Sequence, residues 1–298
     1  MVAAYRQLYP FKSNFLKING MAYHYLDEGR GDPLLMVHGN PTWSFYFRSL
    51  VQAFRDNHRI IVPDHMGCGY SYKPDDHQYG FGLQDRIADL TALMDHLAVD
   101  RPVTLIVHDW GGMIGLAWAL EHLDRVGRLV ILNTAGFFPP GGKAIPWRLK
   151  LIRSFRTVVG YAVLKLNLFA RAALYMAPYR TLPPEVKAGL IAPYNTPRNR
   201  LATLKFVLDI PLSPKDPGGD IVDRVDRNLS RICQRPTLIL WGAHDFVFDR
   251  DYYREWRRRL PAAEAHWFGN AGHYLLEDIP ERIITHIGEF LHNHPLEC

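Results

Sequence analysis

Short unbroken apolar runs recur along the chain, each bounded by Gly, Pro or polar residues. Leu34-Leu35-Met36-Val37, Ile60-Ile61-Val62, Val103 to Val107, Leu129 to Leu132, Thr237 to Trp241 and Glu264 to Phe268 have the length and branching of buried strands. Between them lie stretches of a different period. Phe45 to Phe54 has helical spacing. In Leu83 to Leu97 the residues Ile87, Leu90, Leu93, Met94 and Leu97 share one helical face, and Gly111 to Leu120 reads as a helix directly after its strand. Near the start, Phe15 to Ile18 and Met21 to Leu26 flank Asn19-Gly20, the dipeptide that favours a tight hairpin. Strands buried on both faces and alternating with amphipathic helices predict an α/β fold, with a mostly parallel sheet between helical layers.

One stretch breaks this alternation. From Phe137 to Pro214 the pattern is helical, with proline interruptions at Pro146, Pro178, Pro183-Pro184, Pro193 and Pro197, and no buried-strand run. The reading is an inserted helical cap, residues 137–214, on a core formed by residues 1–136 and 215–298. A chain of 298 residues suits one large core carrying such an insertion. No repeats or low-complexity tracts occur.

Composition adds three points. Apolar residues at 48% and charged residues at 22% describe a packed globular chain. Cys68, Cys233 and Cys298 are too few and too far apart for a disulfide framework or a zinc site, and no leader-like or 18-residue apolar segment is evident, so the chain reads as cytoplasmic and reduced. The net charge of +5 is concentrated. No Asp or Glu occurs between Asp124 and Glu185, whereas Lys143, Arg148, Lys150, Arg153, Arg156, Lys165, Arg171 and Arg180 all do. The simplest use of that charge is the solvated side of a helical lid. Contact with an anionic membrane surface or with an acidic partner face, or self-association into a homo-oligomer through the basic, aromatic-rich cap, are the other uses. Nucleic acid is not expected as a partner, because no recognition motif accompanies the charge.

The candidate chemistry lies at strand ends. Val107-His108-Asp109-Trp110-Gly111-Gly112 ends a strand and opens a helix, the setting of a nucleophile elbow in the α/β-hydrolase fold. Its apex is Asp109, so a carboxylate takes the place of the usual serine; it can attack a saturated carbon and form an alkyl ester. The plain alternative is an Asp that caps the next helix. His38-Gly39-Asn40-Pro41 follows an earlier strand, where this fold draws one backbone N–H of an oxyanion hole; Trp110 would supply the other. His273, in Gly269-Asn270-Ala271-Gly272-His273, sits in the late loop where the fold places its general base. Asp245, after the strand ending at Trp241, is placed to orient that base, with Asp249 as a nearby decoy. Some relatives take the acid from the strand after the elbow helix. Here that place reads Leu132-Asn133-Thr134-Ala135 and holds no carboxylate, which favours Asp245. His38 and His108 are expected to shape loops.

At these residues the sequence resembles the haloalkane dehalogenases. The likeness is carried by His38 to Ser44, Val62-Pro63-Asp64-His65-Met66-Gly67, Lys73 to Asp76, His108 to Gly112 and Gly272-His273. With its acid at Asp245 it resembles the third subfamily, close to the β-lactone decarboxylases of bacterial olefin synthesis. Ala192-Pro193-Tyr194 and Ile210 to Pro214 are also similar to that group. The resemblance implies an eight-stranded, mostly parallel sheet flanked by helices, and a reaction needing no metal or organic cofactor. Asp109 would displace halide from a small apolar substrate, with the Trp110 indole N–H and the Asn40 side-chain amide receiving the ion. His273, oriented by Asp245, would activate water against the ester. Alternatives are decarboxylation of a β-lactone to a long-chain olefin by the same residues, epoxide hydrolysis using Tyr161, Tyr175, Tyr179 or Tyr194 as a phenolic donor, and a non-catalytic binding or assembly module. Carbon–halide hydrolysis is the first reading and lactone decarboxylation the second.

Overall fold

The structure, a computed structural model, describes residues 4–142, 154–232 and 234–296. The expectations placed on Lys143, Pro146, Arg148, Lys150, Arg153, Cys233 and Cys298 lie outside the described residues. Eight strands form one sheet: β1 (Asn14–Ile18), β2 (Met21–Glu28), β3 (Asp32–Val37), β4 (His58–Pro63), β5 (Val103–Asp109), β6 (Val126–Thr134), β7 (Thr237–Gly242) and β8 (Glu264–Phe268). Their order is β1-β2-β4-β3-β5-β6-β7-β8. β1 and β2 pair antiparallel across the Asn19-Gly20 turn, whose two residues have φ of 48° and 82°. β2 meets β4 antiparallel, and every later pair is parallel. The sheet is the α/β-hydrolase fold expected from the sequence.

The continuous apolar runs are split by the pleat between two cores. Leu34, Met36, Ile60, Val62, Ile106, Val130, Leu132, Leu238 and Leu240 face one side. Leu35, Val37, Ile61, Leu105, Val107, Leu129, Ile131, Ile239 and Trp241 face the other. Both faces are covered by helices, so these strands need no polar alternation. Among the described residues the helices of seven residues or more are α1 (Arg48–Phe54), α2 (Leu83–His96), α3 (Trp110–Glu121), α4 (Arg156–Leu164), α5 (Leu168–Met176), α6 (Pro184–Ile191), α7 (Leu201–Leu208), α8 (Gly219–Ile232), α9 (Arg250–Arg259) and α10 (Pro280–Asn293).

Several boundaries differ from the sequence reading. The helical spacing at Phe45 begins as a 3-10 turn, Ser44–Phe47, before α1. β5 runs on through His108 to Asp109, and β6 extends from Val126 to Thr134. The reading assigned no helix to residues 219–232, where α8 buries Ile221, Val222, Val225, Leu229 and Ile232 along one face and packs on α3. α4 to α7 fall between β6 and β7, with no strand among the described residues there.

Candidate active site

The end of β5 sets the geometry. Asp109 has φ 52° and ψ −126°, a conformation that an L-residue adopts only under constraint from its surroundings. Glycines supply the room. A Cβ on Gly39 would lie 2.0 Å from Asp109 Oδ1; one on Gly111 would lie 1.9 Å from the Val37 carbonyl, and one on Gly112 1.8 Å from Thr134 Oγ1. The Thr134 hydroxyl also donates to the Asp109 carbonyl and braces the turn. Asp109 occupies the N-cap position of α3, but its side chain makes no capping hydrogen bond. That sets aside the plain helix-cap reading. The carboxylate is buried and turned toward the other candidate residues instead.

Asp109 Oδ1 accepts the backbone N–H of Asn40 at 2.7 Å. Its Oδ2 lies 3.5 Å from His273 Nε2. On the far side of that ring, His273 Nδ1 donates to Asp245 Oδ2 at 2.7 Å. The structure thus brings Asp109, His273, Asp245 and Asn40 together. Asp249 is elsewhere in function: its carboxylate caps α9 by accepting from Asp251 N–H. Burial alone would depress the His273 imidazolium, but the Asp245 and Asp109 carboxylates outweigh it and push it up to about 10. Burial likewise opposes ionisation of Asp109, and the hydrogen bond and charge of His273, helped by the Asn40 N–H, hold it below the usual carboxylate range. Asp109 is therefore held as a carboxylate beside a His273 imidazolium.

Trp110 opens α3 beside the nucleophile, and its ring packs on Phe206 of α7 at 5.2 Å between centroids. Three positions earlier on the same helix face, the Thr203 carbonyl accepts Asn40 Nδ2–H at 3.2 Å. The Asn40 side chain therefore has one amide hydrogen engaged by α7 and a second available. The four tyrosines considered as phenolic donors are placed differently. Tyr161, Tyr175 and Tyr179 are exposed, and the buried Tyr194 hydroxyl donates to the Thr42 carbonyl at 3.2 Å.

Three supporting residues were not singled out for these tasks in the sequence. Asn133, with φ 30°, donates to Asp245 Oδ2 at 2.9 Å and accepts the Gly242 N–H at 2.7 Å. With the Val247 and Phe248 N–H groups on Oδ1, it completes the hydrogen bonding of Asp245. His108, pushed down to about 3 by burial and the neighbouring His273, is neutral and donates Nε2–H to the His273 carbonyl at 2.9 Å. It latches the base loop to the nucleophile strand, as the expectation of a loop-shaping role anticipated in outline. The buried Asp278 accepts from Gly272, Tyr179 and Arg180 N–H groups, tying that loop to the end of α5. Beside His108, Asn133 carried a signal in the sequence, as the non-acidic residue where some relatives have an acid, and Asp278 carried none.

The model of the α/β-hydrolase fold family matches residues 32–280. The chain is 46% identical, over 95% of its length and 89% of the relative's, to a cis-3-alkyl-4-alkyloxetan-2-one decarboxylase of Shewanella oneidensis. It is 31% identical, over 95% of its length and 96% of the relative's, to haloalkane dehalogenase 2 of Mycobacterium tuberculosis. A crystal structure of a haloalkane dehalogenase from Bradyrhizobium elkani superposes with a TM-score of 0.82 at 24% identity, covering 95% of this chain and 98% of that one.

Proposed function

The chain belongs to the α/β-hydrolase family, and we propose that within it the molecule is a decarboxylase of cis-3,4-dialkyl β-lactones. The observation that carries this is its likeness over nearly the whole chain to a protein of that activity, well above its likeness to a dehalogenase. The reading reverses the order in which the sequence alone ranked the two reactions. The buried Asp109–His273–Asp245 arrangement accommodates both.

For the lactone, Asp109 attacks ring carbon C4. The C4–O bond breaks, an alkyl ester forms on Asp109 with inversion at C4, and the freed ring oxygen becomes a carboxylate attached to C3. The Trp110 indole N–H and the remaining Asn40 amide hydrogen are the donors for that charge. The C3–carboxylate bond then cleaves, its electron pair forms the C3–C4 double bond, CO2 departs, and the Asp109 oxygen leaves C4. Inversion followed by anti elimination turns a cis lactone into a cis olefin. No water is consumed and no net proton moves. The His273 imidazolium favours the return of Asp109 to its anion, and Asp245 holds the imidazolium in place. Dehalogenation is the second reading, supported by the same pair of N–H donors; there the ester is cleaved by water with His273 as base.

The reactions differ in where water goes. After turnover in water labelled with heavy oxygen, the Asp109 peptide analysed by mass spectrometry should stay unlabelled with a cis-dialkyl oxetanone, while olefin accumulates. Labelled Asp109 and bromide release from a bromoalkane, with no olefin from the lactone, would replace the proposal by the dehalogenase reading. Asp109→Asn should abolish either product.

A further inference from the structure

Among the described residues thirteen large apolar side chains are exposed, and eight of them fall between Phe155 and Tyr179. They are not scattered. Val158 and Tyr161 stand one turn apart on α4; Leu168, Tyr175 and Met176 share a face of α5; Leu166 lies between the helices. Tyr175 at 70% exposure and Val158 at 65% are further out than such residues need be on a folded surface. Around them Lys165, Arg171 and Arg180 are exposed as well, within a stretch that holds no acidic residue from 125 to 184, while Arg156 faces Asp209.

We infer that this face of α4 and α5 is a docking surface for an anionic phospholipid bilayer, lying in the interface rather than crossing it. Among the described residues no single helix is long and apolar enough to span. α4 and α5 together have a spanning composition, but they are bent by 77°. Each is nine residues, about 13 Å, against a hydrocarbon core of about 30 Å. Short helices with exposed Leu, Val, Met and Tyr and a rim of Lys and Arg are built to seat at the headgroup boundary. Charge selects the occupant. A second copy would bring a like-charged face against this one, whereas anionic headgroups complement it.

The surface is also coupled to the site. The Ala177 carbonyl, just past α5, accepts the N–H of Tyr274 next to His273, and the Tyr179 ring stacks at 4.5 Å on His244 next to Asp245. Insofar as the proposed lactone activity holds, its dialkyl substrate would be dissolved in the bilayer that this face meets. The docking itself does not depend on that activity.

Flotation of the full chain with phospholipid vesicles tests the inference without an activity assay. The chain should float with mixed phosphatidylglycerol–phosphatidylcholine vesicles and much less with phosphatidylcholine alone. Replacing Arg171 by Gln should weaken binding about fivefold. Tyr161→Glu with Leu168→Glu should weaken it at least tenfold while leaving the circular dichroism unchanged. Failure to float with anionic vesicles would overturn the inference, as would flotation unaffected by the double substitution. Light scattering that shows a dimer lost in that variant would assign the face to a second copy and also overturn it.

Discussion

At the scale of single residues, the site rests on clearance around one strained carboxylate. Gly39 has no Cβ because Asp109 Oδ1 occupies its place. Gly39→Ala should therefore reduce turnover by at least ~10²-fold, in the range of a lost oxyanion contact, with a fold still intact by circular dichroism. The pH profile follows from two opposed shifts. Asp109, held low, is ionised throughout the neutral range, and His273 keeps its proton up to about 10. For lactone decarboxylation kcat/KM should stay level across the neutral range and decline only as pH approaches that value. A profile that rises with pH through neutrality would indicate a neutral histidine acting as base. Asp109, His273 and Asp245 were legible because the elbow motif, the late Gly-His and the order of the three along the chain limit one another. The particular tasks of Asn133, His108 and Asp278 were not, although His108 was expected to shape a loop. Their tasks depend on contacts more than a hundred residues away in sequence for Asn133 and His108, and on a backbone path through the end of α5 for Asp278.

At the scale of elements, legibility tracked burial. Strands covered on both sides announce themselves as unbroken apolar runs, so β3 to β7 were found with their ends short by one to five residues, whereas β8, mostly exposed or half-buried, has the bounds that were read. α8 was missed although its buried positions follow helical spacing, because charged residues fill the intervening positions and no strand precedes it closely. It nonetheless closes one core face. Leu229 is buried against the position of Gly136, where an added Cβ would lie 3.4 Å from Leu229 Cδ1. Leu229→Ala should cost about 2–5 kcal/mol, read from urea titrations. α7 plays a different part. It bears the Thr203 carbonyl on Asn40 and the Phe206 ring on Trp110, so both candidate anion donors are held by one helix. Phe206 is fully buried, so Phe206→Ala should cost about 3–5 kcal/mol toward urea, and in the chain that still folds it should raise KM as well, because Trp110 loses its packing partner. An unchanged KM would remove α7 from the site.

For the whole molecule, the strand order and the way helices cover the sheet's two faces are consequences of long-range pairing, which a local pattern does not encode. The motif around Asp64 shows how such pairing is fixed. Its buried carboxylate accepts from His24 on β2 and from the Ser44 and Tyr70 N–H groups, joining three segments. Burial opposes its ionisation, yet His24, then His38 and the Ser44 N–H, hold it well below the ordinary carboxylate range. A carboxyl with a lower pKa folded than unfolded stabilises the fold fully above the unfolded value of about 3.9, and this is lost as pH falls below it. The melting-temperature gap between the native chain and Asp64→Asn should therefore be widest near neutral pH and shrink below about pH 4; a gap independent of pH would refute the assignment. The Asp109 carboxylate beside the His273 imidazolium has a consequence beyond catalysis. Asp109, held in its anionic form, disfavours any further anion placed beside it. Free fatty acids carry alkyl chains like those of a dialkyl lactone, but they arrive as anions and must bring a second negative charge beside Asp109. Under the proposed reaction the site should therefore admit neutral lipids ahead of acidic ones. A long-chain methyl ester should inhibit far better than the acid of equal length.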